Sequence, residues 1–117
     1  MLSPVQRPYQ FDLSGGVLCL DFANTVSSRK TPERATDHLK TYEDFVAFAK
    51  QSHILSHHEE EELRTVAQRK SRLADATLKK AIIYRESVYR AFAAWVEEQR
   101  DRHGLRNDDA TLVVIDL

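Results

Sequence analysis

Between Leu78 and Val96 the apolar residues recur three and four positions apart: Leu78, Ala81, Ile82, Val88, Tyr89, Phe92, Trp95 and Val96. That spacing sets them along one stripe of an α-helix, the longest and best marked in the chain. Each large side chain fully removed from water contributes roughly 1.5–3 kcal/mol, so burying this stripe is the largest stabilising term the sequence offers. Gly104 is the expected stop. One residue on the stripe is out of character. Arg85 lies among the apolar positions, and a buried guanidinium without a carboxylate is prohibitively costly. Asp21 is the partner expected for it, in an ion pair that ties the N-terminal segment to the long helix; Glu86 stands beside it in sequence.

Two shorter helices precede this one. Thr41-x-x-Asp44 is an approximate capping box, and Tyr42, Phe45, Val46, Phe48 and Ala49 supply an apolar face that should end near Ser52. Ile54 and Leu55 are expected to pack down and fix the connection. Ser56-His57-His58-Glu59 is a cleaner box, opening a helix with Glu59 to Glu62 near its start and Arg64, Arg69, Lys70 and Arg72 further along, which suits the helix dipole. Its inward face, Leu63, Val66, Ala67 and Lys70, is thin, and a break is expected around Arg72 to Thr77, with Asp75 as the next cap.

Towards the N-terminus, Pro4 and Pro8 mark residues 1–10 as an irregular lead-in. Tyr9, Phe11 and Leu13 alternate with polar residues, and Gly15-Gly16 precede the dense run Val17 to Leu20. Too short for a helix and flanked by turn residues, the run reads as a buried strand, so Tyr9–Leu13 and Val17–Phe22 make a hairpin. Within it Cys19 reads as a buried small hydrophobe. Ser27 to Thr36 is polar and holds Pro32, a loop. Ala110 to Leu117 reads as a strand by its β-branched content. The fold expected is mainly α (α+β): a three-helix core with a short N-terminal β-hairpin or strand, and a C-terminal strand.

With 117 residues, 42% hydrophobic and 30% charged, the chain makes one soluble globular domain. A net charge of −1 gives no global pull on nucleic acid. A single cysteine excludes an internal disulfide and a Cys-rich zinc site. Neither a signal peptide nor a membrane-spanning run is visible, so a cytoplasmic location is expected.

The run Gly15-Gly16-x-Leu18-Cys19-Leu20-Asp21-Phe22-x-Asn24-Thr25 resembles the opening of the ABATE domain, and the resemblance extends from about Phe11 to Asp109. ABATE is the N-terminal half of bacterial proteins whose C-terminal half is a CGNR-type zinc finger, and the resemblance implies a stress-induced transcription regulator. Tyr84-Arg85-Glu86 is similar to a Leu-Arg-Glu of the family's third helix. After that helix the chain departs from the pattern: residues 110–117 follow, with no second cysteine and no Cys-Gly-Asn-Arg. A naturally short chain, a fragment and an altered reading frame all fit. DNA contact is therefore expected only through a C-terminal domain missing here, and zinc, the family's cofactor, only in that finger.

Candidate ligand-binding residues are Asp21, Asn24 and Thr25, at the exit of the apolar run, together with Arg85. The same Asp and Asn could instead satisfy their own backbone in Asx-type turns. His57 and Glu61, four apart, with His58 and His53 nearby, have the spacing of a metal site, but in a charged first turn solvation is the better reading. Nucleophile elbow, phosphate loop and His-Glu-x-x-His are all absent, so no enzyme is expected. The leading expectation is an N-terminal regulatory or sensory domain answering to an unknown small-molecule effector. The alternative is a stand-alone module that binds a small ligand or self-associates, as a homodimer paired through the Val113-Val114-Ile115 edge.

Overall fold

The computed structural model describes residues 9–103. In chain order the elements are α1 (Leu18–Ala23), β1 (Val26–Ser27), β2 (Thr36–Asp37), α2 (Tyr42–Gln51), α3 (His57–Arg69) and α4 (Ser71–His103). The fold is mainly helical with one small antiparallel sheet, in which Val26 faces Asp37 and Ser27 faces Thr36. At 1.5 Å per residue α4 is about 50 Å long, close to the 55 Å longest dimension of the molecule. The other helices lie along it: α1, α2 and α3 each pack on α4, and α2 packs on α3. Among the described residues no helix is long and apolar enough to cross a membrane.

Both capping boxes are present. The Thr41 side chain accepts the Asp44 N–H while the Asp44 carboxylate accepts that of Thr41, and Ser56 and Glu59 exchange the same pair of bonds. Backbone donors that a helix start leaves unpaired are met locally, which is why these two boundaries follow from sequence alone. α2 stops at Ser52, and His53 turns the chain with a positive φ of 64°. Leu55 is half-buried beyond it, but Ile54 stays exposed instead of packing down.

The apolar run after the glycines is a helix, not a strand, so the expected hairpin of Tyr9–Leu13 with Val17–Phe22 does not form. Four contiguous apolar residues carry no period with which to separate the two forms. Closing them into α1 turns Ala23 inward, fully buried, and leaves Leu18 and Cys19 facing out. Tyr9–Phe11 needs no partner strand, because the Gln51 side chain takes its place. Gln51 accepts the Phe11 N–H at 2.8 Å and donates to the Tyr9 carbonyl at 2.8 Å. The β element lies further on, at the two ends of the polar stretch around Pro32.

The core gathers Phe11, Leu39, Ala47, Phe48 and Leu78, with Phe22, Phe45 and Ile82 packed against them. The stripe on α4 is inward as expected except at Trp95, which is half exposed. The helix break comes earlier than expected, at Lys70, whose φ and ψ of −126° and 56° end α3. Asp75 is therefore inside α4, where Ala74 extends the buried stripe by one turn before Leu78. On α3 only Ala67 of the expected inward set is fully buried. Gly104, the strand expected at 110–117 and the lead-in up to residue 8 lie outside the described residues.

The glycine pair has two separate jobs. Gly16 sits at φ +84°, in the left-handed region that glycine enters without penalty. Gly15 is pressed against α1: its N–H bonds Asp21 Oδ1 at 2.8 Å, and a Cβ there would meet that oxygen at 2.7 Å and Leu20 Cβ at 2.9 Å. Gly15→Ala should therefore destabilise the fold by about 1–3 kcal/mol through overpacking, read as a lower midpoint in urea denaturation. A variant as stable as the parent would mean that the turn does not close on α1.

Candidate functional site

Arg85, in the middle of α4, has 2% of its surface exposed. Its terminal nitrogens donate to both Asp37 carboxylate oxygens, at 2.8 and 2.9 Å, and its Nε donates to Glu86 Oε2 at 2.8 Å. Thr25, 1% exposed, completes the surround: its hydroxyl donates to the Phe22 carbonyl at 2.7 Å and accepts from Arg85 at 3.4 Å. Glu86 is shared. Arg29, from the loop after β1, donates to both its oxygens at 2.8 and 2.9 Å. The same guanidinium donates to the Ala23 carbonyl at the end of α1, at 3.0 Å, and lies 3.9 Å from the centre of the Tyr89 ring. The result is an alternating row, Asp37–Arg85–Glu86–Arg29, that joins β2, α4, the loop after β1 and the last turn of α1.

Electrostatics explains the layering. Arg85 is buried and the Arg29 side chain keeps 10% of its surface, while the Asp37 and Glu86 side chains keep 39% and 35%, so each ion pair retains solvent on its anionic side. Burial works against the charge on Arg85, but the Asp37 and Glu86 carboxylates outweigh it and hold the guanidinium above its usual range. Hydrogen bonds from Arg29 first, then from Arg85, bring Glu86 down to about 2 against the opposing effect of burial. A general base working near neutrality needs a pKa close to 7. Glu86 holds its charge far below that, so the row is suited to clamping and not to proton transfer.

Of the residues singled out from the sequence, Thr25 and Arg85 come together, both buried. Asn24 is the C-cap of α1, its N–H reaching the Leu20 carbonyl at 2.9 Å. Asp21 does not pair with Arg85: it is bound to Gly15, and Asp37 takes the place expected of it. Asp37 and Arg29 were missed because they flank a polar loop with no period of its own. Only the pairing of Val26 with Asp37 sets that carboxylate beside Thr25. On α3, His57 meets Glu61 at 3.1 Å and Glu60 at 3.6 Å, and His58 meets Glu62 at 2.8 Å, with both imidazoles largely in solvent. Among the described residues no group of three or more His, Cys, Asp or Glu side chains could hold a metal ion.

A second feature was not visible in the sequence. Between α1, α2 and α4 lies an open groove of about 530 Å³, lined by Leu18, Phe22, Phe45, Phe48, Ile54 and Ala81, with Cys19, Thr77, Lys80 and Tyr84 completing it. Its aromatic floor is continuous with the core, Phe22 lying 5.7 Å from Phe48 and 6.2 Å from Phe45 between ring centres. The Cys19 thiol, expected to be buried in a strand, is exposed in this groove because α1 is helical. Clamp and groove share α1: its last carbonyl is held by Arg29, and its outer face forms one wall.

The family model of ABATE, described as "Putative stress-induced transcription regulator", matches residues 16–113. No curated protein and no solved structure matches the chain.

Glu86 lies at about 2 in the folded protein against an ordinary 4.5. Its contribution to stability is thus complete above pH 4.5 and is lost as the pH falls towards 2. Thermal unfolding followed by circular dichroism should show Glu86→Gln less stable at neutral pH, with a shallower loss of stability through that acid window. Parallel curves for variant and parent would contradict the assignment.

Proposed function

The chain belongs to the ABATE family, and from that premise we propose that this domain is the effector-sensing, regulatory part of a transcription regulator and not its DNA reader. The groove carries the reading. It is concave and apolar, its volume falls in the roughly 300–1,000 Å³ range of small-molecule sites, and it is built on the element that the buried charges tie to α4. Occupancy that shifts Leu18, Cys19 and Phe22 would move the Ala23 carbonyl, and with it the Arg29–Glu86 contact on the long helix. DNA reading requires cations free to meet phosphates. Here the net charge is −1, and the two arginines held at the clamp, Arg29 and Arg85, are turned to carboxylates. DNA contact and zinc binding belong, on this reading, to a CGNR-type finger outside this domain.

Titration with Nile red, a neutral apolar dye, tests the groove. Fluorescence should rise to saturation at one site per chain. Ala81→Trp, which fills the groove, should abolish the rise while keeping the parent's helicity and unfolding temperature. Equal binding by both proteins, or retention of duplex DNA by the domain itself at physiological salt, would overturn the reading.

A further inference from the structure

We propose that the groove takes a small amphiphile with an apolar body and a single anionic headgroup, a medium-chain or aryl carboxylate, whose charge is set against the Lys80 ammonium. This rests on the sensing role above and names the class of effector. The walls account for the body. Leu18, Ile54 and Tyr84 are all exposed hydrophobics, and all three border this one groove. Scattered exposed apolar residues are ordinary, but several converging over an aromatic floor mark a surface that something covers.

The polar groups account for the head. Thr77 is already occupied, its hydroxyl donating to the Leu73 carbonyl at 2.9 Å. Among the described residues, Lys80 is the one charged side chain of the lining. At three and four positions on either side of it stand Ala76, Thr77, Ile83 and Tyr84, so its own helix supplies no carboxylate. Arg64, Arg100 and Arg102, by contrast, take Glu60, Glu97 and Glu98 from theirs. An ammonium on a flexible apolar stem can lie along the wall and meet an anion at the rim. With one cation in the lining, the match is to a monoanion. A cationic amphiphile would be repelled, and a neutral one would leave the charge unmatched.

The chain provides its own reporter. Cys19 is its one cysteine, is exposed, and lines the groove. Alkylation of the full chain by iodoacetamide, a neutral reagent, followed by intact mass, therefore measures occupancy. Octanoate, octan-1-ol and octylammonium are compared as protectants. Octanoate should halve the alkylation rate at roughly a threefold to fivefold lower concentration than octan-1-ol, the worth of one solvent-exposed ion pair. Octylammonium should protect least. Lys80→Gln should erase the advantage of octanoate, leave protection by octan-1-ol unchanged, and keep the parent's unfolding temperature. Equal protection by octan-1-ol and octanoate, or a gap that survives Lys80→Gln, overturns the anionic class while leaving an apolar sensing groove in place. Protection by none of the three removes the sensing role as well. Alkylation that slows as the protein alone is concentrated shows that a second copy covers the groove, and overturns the proposal.

Discussion

A guanidinium cannot shed its charge inside a protein, so an arginine on the buried face of a helix dictates what must surround it. Arg85 occupies that position on α4, and much of the N-terminal half is placed by the need to satisfy it. Asp37 closes on it in a two-pronged contact, which requires β2 to lie against the helix. Glu86 takes the third donor, and Arg29 then balances Glu86. Arg29 in turn meets the carbonyl that ends α1, one of the acceptors a helix terminus leaves unpaired. The sequence of obligations runs outward from one residue and ends by fixing the shortest helix, which on apolar burial alone holds only Ala23 fully inside. Removing one member of such a row leaves an uncompensated charge behind, so its members stand or fall together.

That arrangement also bears on the groove. α1 has six residues and no side-chain N-cap, too few to be stable by itself. Its outer face can present Leu18 and Cys19 to solvent because its inner face and C-terminus are held by packing on α4 and by Arg29. A wall held at one end and open on its outer side is a reasonable place for a ligand to act. On this view the clamp and the proposed effector site are parts of one device, the clamp carrying whatever the groove registers to the long helix.

How far the structure could be read beforehand depends on how local each cause is. Thr41 with Asp44 and Ser56 with Glu59 announce helix starts through bonds spanning three residues, and both were legible. The stripe from Leu78 to Val96 was legible through its period, although Trp95 turned out half exposed. The demand of Arg85 for a carboxylate was legible too, since it follows from charge and burial alone. Which carboxylate answers it was not, because the choice between Asp21 and Asp37 depends on a pairing between β1 and β2 that leaves no period in a polar loop. The Val17–Leu20 run failed for a related reason: four apolar residues in a row fit strand and helix alike, and the deciding facts are distant, the docking of Ala23 and the capture of Tyr9–Phe11 by Gln51. The groove was hidden by that same misreading, since Cys19 reaches it only if α1 is a helix.

The dependence of the fold on the Asp37–Arg85 contact is open to direct measurement by a double-mutant cycle. Urea denaturation of the parent, Asp37→Ala, Arg85→Met and the double variant yields the energy that the two side chains share. If the guanidinium is what draws β2 onto α4, the coupling should be about 1.5 kcal/mol or more, in the range found for residues in one ion-pair network. Effects that add to within about 0.5 kcal/mol would mean that the two residues act independently and that Arg85 does not hold β2 against α4.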